Sequence, residues 1–146
     1  LELSRFGAER PEPVLGGSWE HDLCGKVLGA IGRRQNYRSS YEVSIGLLKD
    51  VRIDVVLEAI NSPRLYCQCC FSEANREAEA AIRALSIIPA EAGRLVLVCK
   101  DKALANSLLG HLKKADGYKR FHDRISIKLF GDALEHYHKR SDRDWL

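Results

Sequence analysis

The sequence predicts an α/β domain built in three layers, with a mixed central sheet between two sets of helices. Helix-like and strand-like runs alternate in the order helix, three strands, helix, strand, helix, strand. The first three strand-like runs are separated only by short turns, so they form an antiparallel meander. The fourth, Leu95-Val96-Leu97-Val98-Cys99, is apolar without interruption, as expected of a strand covered on both faces.

Each element follows from its local pattern. Residues 1–17 hold Pro11, Pro13, Gly16 and Gly17 among charges and show no apolar period, which describes a linker or flexible arm. From Ser18 as N-cap, Trp19, Leu23, Val27, Ala30 and Ile31 recur at helical spacing to about Gly32, with Trp19 as a core anchor. A polar basic loop through Ser40 comes next. Tyr41, Val43, Ile45 and Leu47 then alternate with polar or small residues, and Lys49-Asp50 turns into a strand over residues 51–60. In that strand Val51, Ile53, Val55, Leu57 and Ala59 are expected on one face, with Arg52, Asp54 and Glu58 on the other.

Asn61-Ser62-Pro63 is a turn, and a third strand runs from Arg64 to Phe71 with Leu65, Cys67, Cys69 and Phe71 opposite Tyr66, Gln68 and Cys70. Ser72 is placed to cap a helix whose apolar stripe is Ala74, Ala78, Ala81, Ile82 and Leu85. Asp101 caps the next helix, with Leu104, Leu108 and Leu112 as its spine. A basic loop leads to the strand Ile125–Phe130 and a short helix from Asp132 to about Lys139. The domain is therefore assigned to residues 18–140, followed by a tail over 141–146.

The bulk numbers bound the function. A chain of 146 residues with 45% hydrophobic content buries one substantial core. Its net charge of +3 permits a nucleic-acid partner without demanding one. No apolar run approaches the roughly 18–20 residues that span a bilayer, and the N-terminal charges do not suit a signal peptide. A soluble, cytoplasmic protein is expected. The absence of methionine points to a segment of a longer chain, with Leu1-Glu2 as a cloning remnant. Five cysteines, three of them within four positions, suit reduced thiols better than a disulfide framework.

The order α-β-β-β-α-β, together with Asp54 in the run Ile53-Asp54-Val55-Val56-Leu57, resembles the core of the PD-(D/E)xK restriction-endonuclease-like superfamily over residues 18 to 138. The resemblance implies that Asp54 occupies the metal-binding aspartate position, that Gln68-Cys69-Cys70 stands at the E-x-K position, and that Glu20 is the first-helix acid. In that family these groups converge on Mg²⁺, because hard divalent cations take carboxylate oxygens and the lysine helps to activate water. Here an amide replaces the carboxylate and Cys70 replaces the ammonium, so the site is degenerate. Glu58, Glu73 and Glu77 are the candidate relocated acids if Mg²⁺ is still used; otherwise no cofactor is expected.

Other groups invite other chemistry. Cys67, Cys69 and Cys99, with His111 or His122, form a candidate Zn²⁺ set, against the simpler reading of buried cysteine as a small hydrophobe. Cys70 is a candidate reactive thiol. Two basic stretches are candidates for phosphate contact: Arg33, Arg34 and Arg38 around Tyr37, and Lys113, Lys114, Lys119, Arg120 and Arg124 interleaved with Tyr118, Phe121 and His122. Solvated loops are the bland alternative for both.

Three functions stand open on these grounds. The leading one is a nuclease-like accessory domain of a larger DNA-handling machine, such as a conjugation or secretion ATPase, which has lost hydrolysis and binds DNA or a partner protein. The others are an active metal-dependent nuclease and a pure protein-interaction module.

Overall fold

The computed structural model describes residues 19–139 and 145–146. The arm assigned to residues 1–17, the Ser18 cap and most of the assigned tail lie outside them. The elements are α1 (Trp19–Arg34), β1 (Arg38–Ile45), β2 (Val51–Glu58), β3 (Arg64–Cys70), α2 (Ala74–Ile87), β4 (Gly93–Cys99), α3 (Lys102–Lys113), α4 (Tyr118–Phe121), a 3-10 turn (His122–Arg124), β5 (Ile125–Leu129) and α5 (Phe130–Lys139). The expected three-layer α/β/α architecture is present.

The five strands lie in sequence order, β1-β2-β3-β4-β5. Neighbours are antiparallel from β1 to β3 and parallel from β3 to β5. Two apolar clusters sandwich this mixed sheet. The first joins Val51, Ile53, Val56, Tyr66, Leu95 and Leu97 to α2 and α3 through Ala81, Leu85, Leu108 and Leu112. The second joins Val55, Leu57, Leu65, Cys67, Cys69 and Val98 to α1 and α5 through Val27, Leu28, Ile31 and Ala133. The unbroken run in β4 serves both clusters, with Leu95 and Leu97 on one side and Val96 and Val98 on the other.

Helix α1 approaches the sheet closely because it carries glycine where other side chains would collide. A Cβ at Gly32 would lie 2.6 Å from Leu57 Cδ2, and one at Gly29 would overlap the Tyr41 hydroxyl. Trp19, expected as a core anchor, is 38% exposed. The helix also continues through Arg33 and Arg34, so these residues belong to its last turn rather than to a loop. Ser72 is not a cap: Glu73 holds the N-cap position of α2 without a side-chain bond, and the Ser72 N–H donates to Glu77 Oε2 at 3.1 Å. Asp101 does cap α3, its carboxylate accepting from the Leu104 N–H at 2.8 Å. At the far end Trp145 and Leu146 lie against the second cluster, so this part of the assigned tail is docked.

The largest departure from the expected pattern lies in β1 and β2. Val51 and Ile53 face α2 and α3, but Val55 and Leu57 face α1. The alternation reverses at Asp54. Strand β1 reverses at the same level: Val43 and Ile45 touch the first cluster, whereas Tyr41 points toward Gly29 of α1. The residue between them, Glu42, has φ 50°, a left-handed conformation unusual within a strand. The β1–β2 register keeps Tyr41↔Val55 and Val43↔Ile53 but leaves out the pair between them. The uniform faces expected from strict alternation therefore fail in both strands at one shared kink.

Candidate functional site at the fork of the sheet

Below the kink, β2 and β3 pair only over Val55↔Cys67, Val56↔Tyr66 and Leu57↔Leu65. Beyond that point side chains replace the backbone ladder. Gln68 Oε1 accepts from the Asp54 N–H at 3.1 Å, and Gln68 Nε2 donates to the Arg52 carbonyl at 3.1 Å. In return Asp54 Oδ2 accepts from the Cys69 N–H at 2.8 Å. Each strand lends a side chain to the other's main chain, which meets the demand of separated peptide groups for partners. Asp54 and Gln68 thus meet at the fork, a convergence that the sequence alone left open.

The third group at the fork is His21, which the sequence reading passed over. Its Nε2 lies 3.3 Å from Asp54 Oδ2, with the aspartate side chain 14% exposed and the histidine 30%. The Asp54 carboxylate, hydrogen-bonded to the imidazole, holds the His21 pKa above the ordinary histidine range despite burial, and the charges of Asp22 and Glu77 push the same way. Phe71 contacts the His21 ring edge-on, with centroids 6.3 Å apart. A cleft of about 190 Å³ opens beside this pair, lined by Asp22, Gly25, Lys26, Tyr41 and Glu42 as well as His21 and Asp54. Glu20, one residue earlier on α1, is exposed and absent from that lining. Helical geometry explains the exchange: adjacent helix residues point about 100° apart, so only one of the two can face β2.

The relocated acids are dispersed. Glu58 sits at the far end of β2, 3.2 Å from Arg64 and 3.9 Å from Arg38. Glu73 is exposed. Glu77 accepts from Ser72 and lies near enough to act on His21 through space. Among the described residues, no group of three His, Cys, Asp or Glu side chains is arranged to hold a metal ion.

The proposed zinc set fails on topology. Cys67 and Cys69 belong to the α1 side of the sheet, and Cys99 belongs to the α2 and α3 side. All five cysteines are buried and free. Cys70 is buried, and a hydrogen bond with Cys99 and burial raise its pKa, which disfavours the nucleophilic thiolate.

The two basic stretches also part company. Arg33 Nη1 donates to Ser39 Oγ and to Tyr41 Oη, both at 2.8 Å. Arg34 Nη1 donates to the Tyr137 carbonyl at 2.8 Å, and its guanidinium lies 4.3 Å from the centre of the Tyr137 ring. Arg38 is exposed beside Glu58. Arg124 is turned inward, donating to the Ile88 carbonyl at 2.8 Å. Lys113, Lys114, Lys119 and Arg120 remain exposed around the corner between α3 and α4, where Tyr118 contacts the rings of Phe121 and His122.

Comparison of the chain with protein-family models, with curated proteins and with solved structures finds no match. The described residues contain no helix long and apolar enough to cross a membrane.

Proposed function

We propose that this chain is a domain of the restriction-endonuclease-like superfamily whose metal site has become a structural joint, and that it serves a cytoplasmic DNA-handling machine, such as a conjugation or secretion ATPase, as a DNA-contacting accessory domain. The observation that carries the reading is the double engagement of Gln68 with the Arg52 carbonyl and the Asp54 N–H. A hard divalent cation needs several free carboxylate oxygens. Asp22, Glu42 and Asp54 all line the cleft, but no three such groups among the described residues are arranged to hold a metal ion; Asp54 is already bonded to a backbone N–H and to His21, and the Gln68 amide oxygen already accepts a hydrogen bond. These residues do not fit Mg²⁺.

The DNA contact falls to the α3–α4 corner. Its four exposed cations can neutralise phosphates, whereas Arg33 and Arg34 already hold α1 to β1 and α5. Two assays test the reading. Supercoiled and single-stranded DNA incubated with Mg²⁺ or Mn²⁺ should stay intact; cleavage that Asp54→Ala abolishes would overturn the loss of hydrolysis. A titration at low salt should show DNA binding that weakens as salt rises. No binding under those conditions would leave a protein-interaction module.

A further inference from the structure

A second concavity lies on the α1 and α5 side of the sheet, where β3, β4 and β5 begin. It has a volume of about 290 Å³. Leu65 and Val96 form its apolar floor, and Arg94, Lys128, Ser62 and Ser126 supply polar groups around it. The register explains the convergence: Leu65 is level with Arg94, and Val96 with Ser126, on three adjacent parallel strands. No acidic side chain lines the pocket.

The two cations have little to satisfy them. Among the described residues neither Arg94 nor Lys128 has a carboxylate within ion-pair distance. Lys128 is half-buried, and its ammonium lies 4.7 Å from the centre of the Trp145 ring. Burial pushes its pKa down, partly offset by the Asp132 charge acting through space. A positive charge held over an aromatic ring beside a second cation and two hydroxyls is an arrangement that an incoming anion would complete.

We infer that this pocket binds a small organic oxyanion, a carboxylate or a phosphate ester, whose charged group meets Arg94 and Lys128 while its apolar body rests on Leu65 and Val96. The space suits an anionic group with a short ring or chain and is far too small for a duplex. The site is therefore independent of DNA contact at the α3–α4 corner.

The test is calorimetric titration of the full 146-residue chain with benzoate, phenyl phosphate and inorganic phosphate, repeated on Arg94→Gln and Lys128→Gln. Saturable binding of at least one aromatic anion is expected, at least tenfold tighter than inorganic phosphate and weakened at least tenfold in each variant. The tighter of the two aromatic ligands identifies the anion class. In a ¹⁵N–¹H spectrum the Trp145 indole resonance should move on binding while that of Trp19 stays. Binding of neither aromatic anion, equal binding of inorganic phosphate, or affinity unchanged in the variants overturns the inference. Should Lys128→Gln fail to fold, Arg94→Gln decides alone, because Arg94 is exposed and its loss leaves the core intact.

Discussion

Replacing Gln68 by Glu isolates the role of the fork in one atom. The substitution preserves shape and keeps an oxygen to accept from the Asp54 N–H, but it puts a second oxygen where Nε2 now donates to the Arg52 carbonyl at 3.1 Å. Two acceptors then face each other without a proton, and a negative charge is added next to Asp54. Losing a hydrogen bond and leaving its partner unsatisfied costs about 1–3 kcal/mol, and because Gln68 is only half-buried the lower part of that range, about 1–2 kcal/mol, applies. For a chain of this size that loss lowers the melting temperature by roughly 3–6 °C.

The pH dependence gives the sharper signature. Repulsion from the carbonyl and from Asp54 raises the pKa of the introduced carboxyl in the folded state above its unfolded value of about 4.3. The folded variant therefore holds its proton more tightly than the unfolded chain does. Its deficit relative to the parent is small below pH 4, where the protonated carboxyl donates as the amide did, and develops fully as pH rises through the folded pKa. Urea denaturation of parent and Gln68→Glu at pH 4 and pH 7 measures this, with Gln68→Leu as a control whose deficit is similar at both. A Gln68→Glu protein as stable as the parent at pH 7, or one whose deficit grows on acidification, refutes the hydrogen-bond assignment.

Other outcomes follow from the same geometry. Protonated His21 is stabilised by Asp54, so that contribution is fully present below the unfolded histidine pKa of about 6.5 and is lost as pH rises through the higher folded value; urea midpoints should fall more steeply between pH 6 and 8 in the parent than in His21→Ala, and parallel profiles would reject the contact. Leu108→Ala, at a position with no exposed surface between α3 and the sheet, should cost about 2–5 kcal/mol by chemical denaturation, whereas Leu47→Ser on the exposed β1–β2 turn should stay within about 0.5 kcal/mol. Changing Lys113, Lys114, Lys119 and Arg120 together to Gln should lower DNA affinity and flatten its salt dependence by about 0.9 in log–log slope for each phosphate contact removed. Arg33→Gln should instead leave affinity unchanged and cost about 1 kcal/mol of stability through its bonds to Ser39 and Tyr41.

The order and type of the main elements could be read along the chain, because periodicity and turn residues are local properties; the short α4 and the 3-10 turn fell inside what reads as a basic loop. The apolar run of β4, the Leu104, Leu108 and Leu112 spine and the Asp101 cap all report contacts within a few residues or a plain division into inside and outside. Asp54 and Gln68 could be singled out by the order of the elements and the run around Asp54, although their spacing did not show that both would bond the opposite main chain. The reversal of facing at Glu42 and Asp54 left no mark in the alternation, since a kink shared by two strands is a property of the pair. The phase of α1 against β2, equally a matter of how two elements dock, brings His21 rather than Glu20 to the aspartate. Whether a basic side chain is available to a ligand also depends on distant partners: Tyr137 occupies Arg34 from more than a hundred residues away, while the α3–α4 corner has no such neighbour among the described residues. Local free energies along a chain choose helix and strand; which polar atoms remain unsatisfied emerges only when remote segments meet.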